Sequence, residues 1–143
     1  MTKRRSPGKV VAVHPCDETA QVVSVEGQGV FRREVCAECP WRRDSPLGAF
    51  PAEAYRHSAR TCEDAAMSMF ACHMSTVKAS ATCAGFLLSR HAAHNIGVRI
   101  AQIRGRLDMS TVRRTVPTYD DYREMAELNG VAADDQALAR VRS

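Results

Sequence analysis

Val35-Cys36-Ala37-Glu38-Cys39-Pro40-Trp41-Arg42-Arg43-Asp44 carries the densest chemistry of the chain and its only tryptophan. A Cys-x-x-Cys pair puts two sulfurs on one tight turn, where both can face a single cation or each other. The pair alone is compatible with half of a zinc site, part of an iron–sulfur site, or a redox dithiol. Cys72-His73 and Cys83, further along the chain, supply additional soft ligands at a loop separation that suits a shared ion. Pro40 removes a backbone donor and stiffens the exit from the turn. Trp41 suits either a cover over the site or an ordinary core plug, and a guanidinium from Arg42 or Arg43 would stabilise thiolate charge nearby.

Upstream, Val10-Val11-Ala12-Val13 is a short β-branched run. The segments 21–25 and 29–32 flank Glu26-Gly27-Gln28, and two β-prone runs around a glycine-containing turn predict a hairpin that delivers the chain into Cys36. His14 and Cys16 lie between the first strands and read as loop or packing residues rather than ligands.

Downstream, Pro51-Ala52-Glu53-Ala54-Tyr55 opens a helix running to about Thr61 or Cys62, with Ala54, Tyr55, Ser58 and Ala59 on one face. Cys62 reads as a packed thiol, since no other ligand type stands beside it. The alternating run Met67 to Cys72 predicts a buried strand, and residues 74–82 a loop. Neighbours on an extended chain point to opposite sides, so of Cys72 and His73 the thiol is the expected ligand, with His73 a substitute or a donor to a sulfur. Cys83 then sits at the N-terminus of the longest helical stretch, 84–107, broken near Asn95 and Gly97, and the helix dipole there favours a thiolate. His91 and His94, three apart, read as exposed helix surface. Thr118 is the expected cap of a last helix whose core positions are Tyr122, Met125, Ala126 and Leu128, stopped by Asn129-Gly130. Tyr119 and Tyr122 read as packing residues. A short helix capped at Asp134 is expected beyond.

At 143 residues, 45% of them hydrophobic, the chain suits one domain with tails. Only 6% are aromatic, so the core relies on smaller side chains and gains most from a metal or a cross-link. The expected fold class is α+β: a small metal-centred domain with an N-terminal β-hairpin and three to four short helices. Its expected organisation is a flexible basic arm over residues 1–9, a single metal-binding domain over 10–130, and a C-terminal tail or short helix over 131–143. No apolar run is long enough to cross a bilayer or to form a signal peptide, which predicts a cytoplasmic protein with no membrane partner. In that compartment six cysteines are ligands, core thiols or redox sensors rather than structural disulfides. The formal charge of +4 is unevenly spread. Between residues 86 and 116 the cations Arg90, Arg99, Arg104, Arg106, Arg113 and Arg114 face one acid, Asp108, whereas 120–135 is dominated by acids. Arg90, Arg99, Arg104 and Arg106 are the candidate contacts to nucleic acid or an acidic protein; the plainer reading pairs these arginines with the acidic segment.

The strongest ligand set is therefore Cys36, Cys39, Cys72 and Cys83, with His73 in reserve, and it satisfies tetrahedral zinc and a 4Fe–4S cluster alike. The ordered motifs Cys-x-x-Cys-Pro-Trp-Arg-Arg-Asp, Leu-Gly-Ala-Phe-Pro-Ala-Glu-Ala-Tyr, Phe-Ala-Cys-His, Cys-Ala-Gly-Phe and Asn95-Ile96-Gly97-Val98-Arg99 resemble a family of small cysteine-rich proteins of unknown function from bacteria and their phages, particularly actinobacterial ones. The resemblance covers about Cys36 to Arg99 and extends weakly into Tyr119-Asp120-Asp121-Tyr122. It implies that Cys36, Cys39, Cys72, His73 and Cys83 form one site, and it implies no activity. Three function classes follow: a metal-stabilised regulatory or interaction module, an iron–sulfur redox sensor, and, ranked last, an enzyme with Cys83 or Cys72 as nucleophile and His73 as base. Adjacent Cys and His do not readily form an in-line pair, and no orienting carboxylate is evident.

Overall fold

A computed structural model of the chain describes residues 9–15, 21–26, 30–72 and 81–142, with the strands at 9–15 and 21–26 described by their backbone. Strand β1 (Lys9–Pro15) pairs antiparallel with β2 (Gln21–Glu26), and β2 pairs antiparallel with β3 (Met69–Phe70) through Ser24↔Phe70 and Val25↔Met69. The sheet order is β1-β2-β3. This differs from the hairpin expected between 21–25 and 29–32. Phe31 lies parallel to Thr82 instead, because Thr82 donates its N–H to Val30 O at 3.1 Å and accepts at its carbonyl from Arg32 N at 2.9 Å. On its other side the same residue pairs antiparallel with Ala71. Residues 27–29 and 73–80 lie outside the described residues, as do residues 1–8; Lys9, expected to end the arm, opens β1, and Thr82, expected to end the loop over 74–82, is held in these bridges.

Helix α1 (Ala52–Ser58) starts after Pro51 and continues as a 3-10 turn over Ala59–Cys62, burying Tyr55, Ser58, Ala59, Thr61 and Cys62. The long helical stretch expected next is two helices, α2 (Ala84–Leu88) and α3 (Ile96–Ile103), with a 3-10 turn at Ala92–His94 between them. Ser89 ends α2 by bonding its hydroxyl back to Phe86 O at 2.6 Å, which competes with the helical ladder. Asn95 begins α3. Its fully buried amide accepts from Val98 N at 3.0 Å and donates to Thr61 O and Ser68 O at 3.1 and 2.8 Å. Gly97 is required there, since a Cβ would stand 2.3 Å from Met67 O.

Helix α4 (Tyr122–Leu128) is capped by Asp121, whose carboxylate accepts from Arg123 N at 3.0 Å, and not by Thr118. Thr118 is buried in an antiparallel bridge with Arg42, where its backbone is already committed. Tyr122, Met125 and Ala126 face the core as expected. Leu128 is turned away from that face and is 49% exposed. Gly130, with φ of +100°, takes the left-handed conformation that stops the helix. Beyond it Val131, Leu138 and Val141 are buried, and Asp135 rather than Asp134 caps the 3-10 turn Gln136–Leu138. The Arg123 guanidinium donates to Leu138 O and Val141 O, and Arg142 N donates to Cys62 O, so residues 131–142 are fastened to α4 and the end of α1.

The core has an aromatic end and a helical end. Trp41 is completely buried, edge-on to Phe70 (5.7 Å) and Tyr122 (5.8 Å) and tilted against Phe86. Tyr122 bridges to the helical end, packed with Met125 and Leu138. Each such large side chain contributes roughly 2–3 kcal/mol over exposure. Among the described residues no helix is long and apolar enough to cross a membrane.

Candidate metal centre

Local backbone geometry brings the four expected thiols to one place. The Cys36–Cys39 turn closes with Cys39 N donating to Cys36 O at 3.2 Å, and Arg42 N and the Ser45 hydroxyl then hold Cys39 O at 3.1 and 2.7 Å. Opposite it, the Ala71↔Thr82 bridge is closed by Cys72 N to Ala81 O at 2.6 Å and Cys83 N to Phe70 O at 2.8 Å. In an antiparallel pair centred on residues 71 and 82, residues 72 and 83 are diagonal neighbours on the same face. Phe31 beside Thr82 places the Cys36 turn next to this ladder.

The sulfurs form a hydrogen-bonded file. Cys36 interacts through its side chain with Cys39 and with Cys72, and Cys39 Sγ lies 3.4 Å from Cys83 Sγ. Cys39, Cys72 and Cys83 are buried and Cys36 is half-buried. As the side chains stand, no group of three or more His, Cys, Asp and Glu among the described residues has the geometry to hold a metal ion. The file runs from sulfur to sulfur and does not surround a common point. His73, the reserve ligand, lies outside the described residues, as does Cys16. Cys62 is fully buried beside the Thr61 hydroxyl at 3.6 Å, a packed thiol as expected.

Cys36 and Cys39 hold their protons tightly. The Cys39 contact raises the Cys36 thiol above its ordinary value, outweighing the opposing bond from Cys72. Cys39 receives a bond from Cys36 that favours its thiolate, yet the Cys83 thiol and burial hold it well above the usual range. Clustered sulfurs in a dry site resist charging together unless a cation joins them. Around them the packing is tight. A Cβ added at Gly85 would stand 2.4 Å from Trp41 Cβ and 3.1 Å from Cys39 Sγ, so the N-terminus of α2 lies directly on the turn. Residues 113–119 fence the other side, through Arg113 N to Arg33 O, Arg43 N to Pro117 O and Tyr119 N to Trp41 O.

The two arginines of the motif have separate roles. Arg42 grips Asp44 with two bonds of 2.7 and 2.9 Å, and lies within electrostatic reach of Cys39 and Cys36. Arg43 is directed away from the thiols, paired with Glu124 at 2.7 Å and stacked over Tyr119. Of the basic residues, Arg90 is exposed and paired with Asp120 at 3.0 Å. Arg99, Arg104 and Arg106 are exposed on α3 and the turn after it, beside Ile103 at 84% exposure. The acidic segment is met by Arg90, Arg43 and Arg56, which pairs with Asp135, so the plainer expectation of pairing within the chain is met in part from elsewhere in the sequence.

His91 is the largest departure. It does not share an exposed helix face with His94: it is 2% exposed, and its Nε2 accepts from Tyr122 N at 2.9 Å while Nδ1 has no partner among the described residues. The turn imposed by Ser89, together with Arg90 N donating to Asp120 O, rotates His91 inward. Sequence reasoning also missed the buried hydroxyl relay in which Tyr122 donates to Tyr55 O and meets Ser58 Oγ at 2.7 Å. A signal for Gly85 was present, since Cys-Ala-Gly opens a helix with residues too small to keep neighbours away.

Residues 31–142 match the model of a family of unknown function, DUF6283, and the chain belongs to that family. No curated protein and no solved structure matches the chain.

Proposed function

We propose that this protein is a small cytoplasmic metal-binding module, centred on an ion or cluster held by Cys36, Cys39, Cys72 and Cys83. In this reading the metal is zinc or a 4Fe–4S cluster, the centre stabilises an α+β domain, and the Cys-x-x-Cys-Pro-Trp, Phe-Ala-Cys-His and Cys-Ala-Gly motifs are what bacterial and phage members, particularly actinobacterial ones, share. The observation that carries it is the unbroken file of sulfurs, Cys72, Cys36, Cys39 and Cys83, drawn from three separate parts of the chain. Four soft donors without a disulfide, in a reducing compartment, favour a soft cation. Elemental analysis of the native protein tests this. Stoichiometric zinc or iron, absent from Cys36→Ser and Cys39→Ser, is the expected result; metal-free protein that melts unchanged on adding either metal overturns it.

The module acts on nucleic acid or an acidic protein through Arg90, Arg99, Arg104 and Arg106. What favours this is the exposure of Arg99 and Arg104, for which no ion pair occurs among the described residues, next to a bare Ile103. Nucleic-acid binding that falls steeply with salt and weakens in a triple Arg99, Arg104, Arg106→Ala variant is expected. Absence of salt-dependent binding rejects the nucleic-acid partner. A catalytic reading ranks last, since its candidate nucleophiles Cys72 and Cys83 are both buried away from any substrate.

A further inference from the structure

We infer that the thiol file closes around one tetrahedral zinc-type ion rather than a 4Fe–4S cluster, and that the site has no open coordination position. This rests on the reading of Cys36, Cys39, Cys72 and Cys83 as metal ligands. It goes beyond that reading by choosing between the two kinds of centre.

Sulfur spacing decides the choice. Four thiolates at about 2.3 Å from a single zinc lie about 3.8 Å apart along each tetrahedral edge. The Cys39–Cys83 pair, at 3.4 Å, needs to open by only a few tenths of an ångström to reach that edge. Cys36 already interacts through its side chain with both Cys39 and Cys72, so the thiols on three of the six edges of the tetrahedron are neighbours before any ion arrives. A four-iron cluster makes the opposite demand. Each cysteine binds a different iron at a separate corner, so the sulfurs are held apart by the whole body of the cluster and none touches another.

The surroundings make that expansion costly. Cys39 and Trp41 are both completely buried, and the backbone of Gly85 already approaches them so closely that one added carbon would clash with Trp41 and crowd Cys39 Sγ. The Cys36–Cys39 turn is tied on one side to residues 113–119 and on the other to the ladder around Thr82. Converting the file to a cage draws neighbouring thiols about one ion, whereas admitting a cluster requires separating α2, the turn and the ladder. Four sulfur donors, three of them buried, also leave no coordination place for water or substrate, which makes the site structural.

The test uses full-length protein purified under nitrogen without chelators. Native mass spectrometry with elemental analysis should give one zinc per chain. Metal-free protein should take up one equivalent of cobalt(II), with the intense visible bands of tetrahedral sulfur coordination, and Cys62→Ser should do the same. Several irons with acid-labile sulfide and a brown colour would overturn the single-ion inference and leave the metal-binding reading intact. One cobalt lacking those bands would also overturn it, as an ion bound elsewhere. No uptake of cobalt, zinc or iron with sulfide, in protein whose thiols titrate as reduced, overturns both.

Discussion

Around Tyr122 the core is closed by oxygen and nitrogen groups that satisfy one another, whereas around Trp41 it is closed by thiols that do so only weakly. At the helical end, the Tyr122 hydroxyl joins Ser58 to Tyr55 O, its amide is received by His91, and Asn95 caps α3 with one bond and ties it with two more to Thr61 O and Ser68 O. At the thiol end, regular structure is sparse: a turn, single bridges and a five-residue helix. Sulfur is a poor hydrogen-bonding partner. The helical end is tied by its own side chains, with His91 Nδ1 the exception, and the thiol end is where an ion adds most.

The sharpest way to break this contrast compares two buried cysteines. Cys39→Ser should abolish metal binding and remove about 5 kcal/mol or more, most of a domain's stability. Cys62→Ala, at the helical end, should cost about 1–2 kcal/mol with metal content intact. Urea melts with elemental analysis decide the matter, and equal losses erase the distinction. Next in size, Gly85→Ala forces a carbon against Trp41 and Cys39. A loss of ~2–3 kcal/mol with weakened metal retention is expected. A neutral Gly85→Ala variant removes the claim that α2 clamps the turn. Tyr122→Phe leaves Ser58 Oγ and Tyr55 O without their shared partner, at a cost of about 1–3 kcal/mol, and should leave the metal untouched. Metal loss in this variant would show that the two ends are one unit.

The smallest expected effect is acid sensitivity from His91. Burial lowers its pKa, and the nearby Asp121 carboxylate, 3.5 Å from Nε2, and Asp120 oppose that while Arg90 adds to it. A depressed histidine favours its neutral form in the folded state. Its contribution is therefore present above the unfolded value of about 6.5 and fades as pH falls through the folded one. Asp44, Asp108, Glu124 and Asp135 are held below the ordinary carboxylate range by their hydrogen-bond and ion-pair partners, so their window lies apart from that of the histidine. Urea midpoints should decline below about pH 6.5 in the wild type and less so in His91→Gln; parallel curves sink this assignment.

Local features were legible in the chain before any coordinates. The Cys-x-x-Cys-Pro turn, the Pro-led start of α1, the break at Asn95 and the stop at Asn129-Gly130 each depend on chemistry within a few residues, and each stands where spacing put it. The adjacency of four thiols was legible too, because soft ligands at those separations have few other uses. What escaped was set by distant partners. Thr82 captured the strand that a local turn would have paired with 21–25, and Ser89 turned His91 inward where helical periodicity placed it outside. Asp120-Asp121 offered two acids and Thr118 a third cap, and only the Arg42 bridge removed Thr118 from contention. Residues 131–142 return to Cys62 through backbone groups that carry no side-chain pattern.

Trp41 has a practical consequence of another kind. It is the only indole in the chain, and it sits wholly within the thiol end with its Nε1 unbonded among the described residues. Its fluorescence is therefore a local gauge rather than an average over the molecule. Emission should be blue while that end is closed and shift to the red when solvent enters. Tyr122, with its ring 5.8 Å away, should pass its excitation to the same indole. Assembly and loss of the centre can then be timed in unlabelled protein, at the dilution of a cuvette and in the presence of any partner that lacks tryptophan.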